Sequence, residues 1–149
     1  MPHAGLMSTK ESFDNAEGAL LRARLHIRGA RRRLSQGKIS AGIVTLYDAL
    51  IFALRFYFMT PEHSAILAAK GPLDLTEERD MLMVLREAGI LGHTFDLDRF
   101  EALVEQAGRG EMPDYDFKPM LSSFESLMNA LEVIPFDEAL LPAEDPAAF

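Results

Sequence analysis

A chain of 149 residues, 48% hydrophobic and 26% charged, has the size of one domain with one core and is too short for a two-domain dehydrogenase or a β/α barrel. Its apolar fraction excludes a disordered chain. Without cysteine there is no disulfide framework, thiolate zinc site, iron–sulfur cluster or cysteine nucleophile, and a net charge of −8 argues against a basic nucleic-acid coat protein.

The N-terminus, MPHAGLMSTKESF, lacks the cationic start and apolar stretch of a secretory signal. Residues 1–10 read as a flexible N-terminus and 141–149, with two prolines and two acids, as a flexible acidic tail. They flank a single helical domain over 11–140. A first helix is expected over 12–36, where Phe13, Ala16, Leu20, Ala23, Ile27, Ala30 and Leu34 recur at alternating spacings of three and four. Such a stripe packs along a long antiparallel neighbour. Gly37 supplies its stop, since glycine enters the left-handed region without penalty.

A short turn leads to a second helix over 40–58, followed by Pro61. Two long helices so joined form a helical hairpin, the spine of the fold. Thr76 can cap a third helix ending near 86–88, and Asp98 with Glu101 gives a start for a fourth over 99–106, closed by Gly108 and Gly110. Pro119 suits the first turn of a last helix over 119–131, with Leu121, Phe124, Leu127 or Met128, and Leu131 on one face. Period-two alternation of β-branched residues is almost absent. The expected fold is all-α, a four- to five-helix bundle built on the hairpin.

The second helix is unusual. Between Ala41 and Met59 only Thr45, Asp48 and Arg55 are strongly polar, so the helix must be covered on nearly every side. Its length matches a membrane span, but inserting the two charges costs about 2.5–3.5 kcal/mol each. The expectation is a soluble cytoplasmic protein with no membrane partner, a homodimer that covers the outer flank of this helix. Thr45, Asp48 and Arg55 share a face at offsets of three and seven. Asp48 and Arg55 are expected to form a buried polar network that fixes packing or dimer register, the alternative being a ligand-binding pocket.

Charge is uneven along the chain. Residues 1–69 hold nine bases and five acids (+4), whereas residues 70–149 hold six bases and eighteen acids (−12). No acid occurs from Gly18 to Tyr47, where Arg24, Arg28, Arg31, Arg32 and Arg33 line the first helix. These arginines are a candidate surface for RNA or an acidic protein partner, since guanidinium suits phosphate and carboxylate. The plainer reading is a solvated face, or one neutralised by the chain's own acidic half or by a second copy. No phosphate-binding glycine loop, HExxH, GxSxG, calcium loop or helical Glu-x-x-His pair is present. The four histidines, at 3, 26, 63 and 93, have no metal-ligand spacing. Neither a metal nor a cofactor is expected.

The stretch AEGALLRARLHIRGARRRLSQGKISAGIVTLYDALIFALRFYF, about a third of the chain, resembles the opening helical hairpin of the HEPN superfamily, with Ala41, Tyr47, Ala49 and Ala53 in the second helix. The resemblance implies a small, often dimeric helical bundle. Catalytic members cleave RNA without metal, using an arginine and a histidine four to six residues apart in a dimer cleft. Arg86 and His93, which bracket six residues, match that spacing, although Glu87 stands where the family has another polar residue. Arg55 and His63 bracket seven, one too many. The functional expectation is a non-enzymatic, homodimeric HEPN-like interaction or regulatory module. A metal-independent endoribonuclease using Arg86 and His93 is the alternative.

Overall fold

In a computed structural model, the structure describes residues 15–65, 78–92 and 95–144, and every regular element among them is helical. Five α-helices follow in order: α1 Ala16–Ser35, α2 Ile39–Met59, α3 Glu78–Glu87, α4 Leu97–Arg109 and α5 Lys118–Ala130, with a short 3-10 turn at Glu138–Leu140. The all-α expectation holds, and α1 and α2 form the hairpin.

The seam read from the sequence is the contact. Ala23, Ile27, Ala30 and Leu34 of α1 are buried against α2, where Ile43, Leu46, Leu50 and Leu54 are fully enclosed. Each such large aliphatic side chain contributes about 1.5–3 kcal/mol on burial. The helices cross closely because one residue lacks a side chain. A Cβ on Gly42 would lie 2.7 Å from Cγ and Cδ2 of Leu34 and 3.4 Å from the carbonyl of Ala30. Between the helices, Gly37 sits at φ +81°, while the Lys38 and Gly37 amides donate to the carbonyls of Arg33 and Leu34. This pair of bonds satisfies carbonyls that the helix end leaves open.

Helix α1 starts later than expected. Asn15 is extended, and its side chain accepts from the Gly18 amide at 2.7 Å, so it caps the helix rather than continuing it. Phe13 lies outside the described residues, as does the Thr76 cap expected for α3. Helix α4 departs from expectation in the other direction. Its cap is Asp96, not Asp98, with Oδ1 accepting from the Arg99 amide at 3.1 Å. It runs through Gly108 to end at Gly110.

Helix α2 lies at the centre, as its composition requires, packed against α1, α3 and α4. Phe95, Phe100 and Phe124 meet with ring centroids 5.4–6.3 Å apart and join α4 to α5. Tyr47 of α2 reaches the ring of Phe100, and its hydroxyl donates to Glu78 of α3 at 2.5 Å. That bond, burial and nearby carboxylates push the Tyr47 phenol up to about 12. Helix α5 ends with the same two backbone bonds as α1, but the left-handed position is held by Glu132, at φ +66°.

The chain after α5 folds back along α1. Val133 is fully buried, Phe136 is half-buried, and Glu144 pairs with Arg32 at 3.1 Å. The packed body therefore reaches four residues into the segment expected to be a loose tail. The remainder of that tail, 145–149, and residues 1–10 lie outside the described residues.

Candidate functional site

The arginine face of α1 is largely engaged by the chain itself. Arg24 Nε donates to the Val133 carbonyl at 2.9 Å, and burial pulls its guanidinium below the ordinary value. Arg31 binds Glu125 of α5 at 2.8 Å and Glu138 of the 3-10 turn at 3.1 Å. Arg24 and Arg31 both stand over the Phe136 ring, 5.4 and 5.6 Å from its centroid. Arg32 holds Glu144. Of the five arginines singled out, Arg28 and Arg33 are half-buried with no ion pair among the described residues. Carboxylates of the acidic half thus pair with Arg31 and Arg32 within one chain.

The arginine and histidine of the RNA-cleaving alternative are only half in view. Arg86, near the end of α3, is half-buried, and its Nη2 donates to the carbonyl of Phe95. His93 lies outside the described residues. A cleft of about 80 Å³ lies beside Arg86, bounded by Leu91, Ser126 and Leu127.

Asp48 and Arg55 do not form a buried network within one chain. Asp48 is exposed, and Arg55 is half-buried with its guanidinium 5.7 Å from the centroid of Phe52. Neither forms an ion pair among the described residues. Both lie on the outward face of α2, because the opposite face is taken by α1, α3 and α4. That outward face also carries Val44 and Met59, 38% and 36% exposed, with half-buried Ile51 and Phe52 between them.

Three groupings escaped the sequence reading. Glu111, in the loop after α4, accepts from the Ser40 amide at 2.9 Å and the Met112 amide at 3.0 Å, while Ser40 Oγ donates to the Gly110 carbonyl at 2.6 Å. These backbone donors hold the Glu111 carboxyl below its ordinary value. The positive end of α2 is thus capped from 71 residues away.

His63, just past α2, is buried, stacks on Tyr57 at 3.8 Å and donates from Nδ1 to the Tyr57 carbonyl at 3.0 Å. Its Nε2 faces Glu132 at 3.2 Å, and Glu62, His63 and Glu132 bring donor atoms within 4.8 Å of one another. These three could hold a metal ion. The same geometry is also satisfied by an imidazolium between carboxylates. The third grouping is an open cleft of about 460 Å³ between α4 and α5, lined by Phe100, Leu103, Tyr115, Met120, Asp96 and Arg99. Its carboxylate is already engaged in capping α4.

No family model matches the chain, and no curated protein or solved structure is significantly similar to it.

Proposed function

We propose that this protein is a soluble, cytoplasmic, non-enzymatic interaction module of HEPN-like build that works as a homodimer through the outward face of α2. The observation that carries this reading is the helix itself. Ile39–Met59 is long and apolar enough to cross a membrane, yet only half of its most apolar stretch is buried within the chain. A helix apolar on all sides is stable in water only when all sides are covered. The charges on its outer stripe, Asp48 and Arg55, suit a protein interface with a polar component better than a lipid one.

The arginine face supports a structural role in the same module, since three of its guanidinia are held by the C-terminal segment and Glu125. RNA cleavage would require Arg86 to leave the Phe95 carbonyl, and no observation favours it. Light scattering on the purified full chain, over a range of concentrations, tests the proposal. A stable dimer is expected at moderate salt, and a monomer at every concentration would overturn it.

A further inference from the structure

From Val44 onward the outward stripe of α2 is complementary to itself in one direction only. Exposed Val44, Asp48 and Met59 and half-buried Ile51, Phe52 and Arg55, with the Phe52 ring also against Arg22 and His26 of α1, fall within an arc of about 100° on a 3.6-residue helix. Their numbers pair about a single midpoint between Ile51 and Phe52: Val44 with Met59, Asp48 with Arg55, Ile51 with Phe52. In a parallel pair each residue would face its own copy, setting Asp48 against Asp48 and Arg55 against Arg55. In an antiparallel pair each apolar residue meets an apolar one, and each charge meets its opposite, giving two Asp48–Arg55 pairs in the dimer.

We infer that two copies associate through antiparallel α2 helices about a two-fold axis between Ile51 and Phe52. This rests on the homodimer reading and adds its geometry. The occupant of the stripe is then a second copy of this chain, since a two-fold interface must be complementary to itself. The symmetry accounts for the one acid and one base on an otherwise apolar helix. Each is exposed or half-exposed and without an ion pair among the described residues, and the antiparallel pairing sets an opposite charge against each across the axis. The opposed charges set direction, because like charges would face one another in any parallel alternative. The apolar residues supply the buried area.

The absence of cysteine allows a direct test by disulfide trapping in the full chain. Val44→Cys and Met59→Cys are made separately. Mixed and mildly oxidised, they should give a cross-linked heterodimer. Val44→Cys alone should not cross-link, because its two copies would lie roughly 22 Å apart along the axis. A parallel dimer gives the reverse result. As a second readout, Asp48→Arg and Arg55→Glu should each weaken self-association roughly tenfold in sedimentation, and the double reversal should restore it.

Both charged side chains are on the outer face, and far-UV circular dichroism verifies that each variant stays folded. A dimer that traps Val44→Cys to itself overturns the antiparallel register and leaves the homodimer standing. A wild-type chain that is monomeric throughout overturns both.

Discussion

Glu111 shows how much a single exposed side chain can organise. Its carboxylate joins the loop after α4 to the first turn of α2 through backbone amides, which stabilise its ionised form. A carboxyl whose folded value lies below its ordinary 4.5 contributes stability above that pH and loses it as the pH falls through the folded value. Urea unfolding of the wild type should therefore show a stability loss below about pH 4.5 that is shallower in Glu111→Gln. Equal slopes would mean that the cap has no energetic role. Nothing near Glu111 in sequence announces the cap, because the Ser40 amide it accepts from lies 71 residues away. His63 and Glu132 were hidden for the same reason. A spacing rule finds ligands on one helix, whereas these two come from the ends of α2 and α5. Glu132 has a further signature visible only in the backbone: it occupies a left-handed position where α1 and α3 have Gly37 and Gly89.

At the scale of elements, the hairpin was legible because its signal is local and periodic. Ala23, Ile27, Ala30 and Leu34 face α2, and Gly37 makes the turn as expected. Capping was less legible. Asp96 and Asp98 have the same capping chemistry, and the choice depends on Phe95 and Leu97 being buried, which fixes where the chain enters the helix. Two buried glycines of the hairpin, Gly29 and Gly42, give a sharper prediction. Gly42→Ala would press a methyl into the branched end of Leu34 at 2.7 Å and should destabilise the fold by about 1–3 kcal/mol. Gly29→Ala crowds the flexible tip of Arg33 at 2.8 Å, with Glu144 Oε1 and Thr45 Cγ2 at ordinary contact, 3.9 and 4.0 Å. With a gain in helix propensity of about 0.8–1 kcal/mol, it should be neutral or stabilising. Thermal unfolding of both variants checks the opposite signs, and equal losses would show that the helices do not cross so closely.

For the whole molecule, charge segregation along the sequence becomes charge pairing in space. The basic first half and the acidic second half meet where Glu125, Glu138 and Glu144 reach Arg31 and Arg32. Partly exposed pairs are worth up to about 1 kcal/mol each, so Arg31→Ala with Arg32→Ala should cost roughly 0.5–2 kcal/mol in urea unfolding, less at high salt. A variant as stable as wild type at low salt would show that the C-terminal segment is held by Val133 and Phe136 instead. Composition shows the imbalance, but whether arginines face a polyanion or the chain's own acids depends on where the last residues lie, which periodicity does not encode. Timing follows from this arrangement. Arg32 and its partner Glu144 are 112 residues apart, so at 5–20 residues per second a ribosome adds the partner on the order of ten seconds after the arginine. During that interval Arg32 has no Glu144 to pair with, so the C-terminal segment can dock on α1 only once nearly the whole domain has been made.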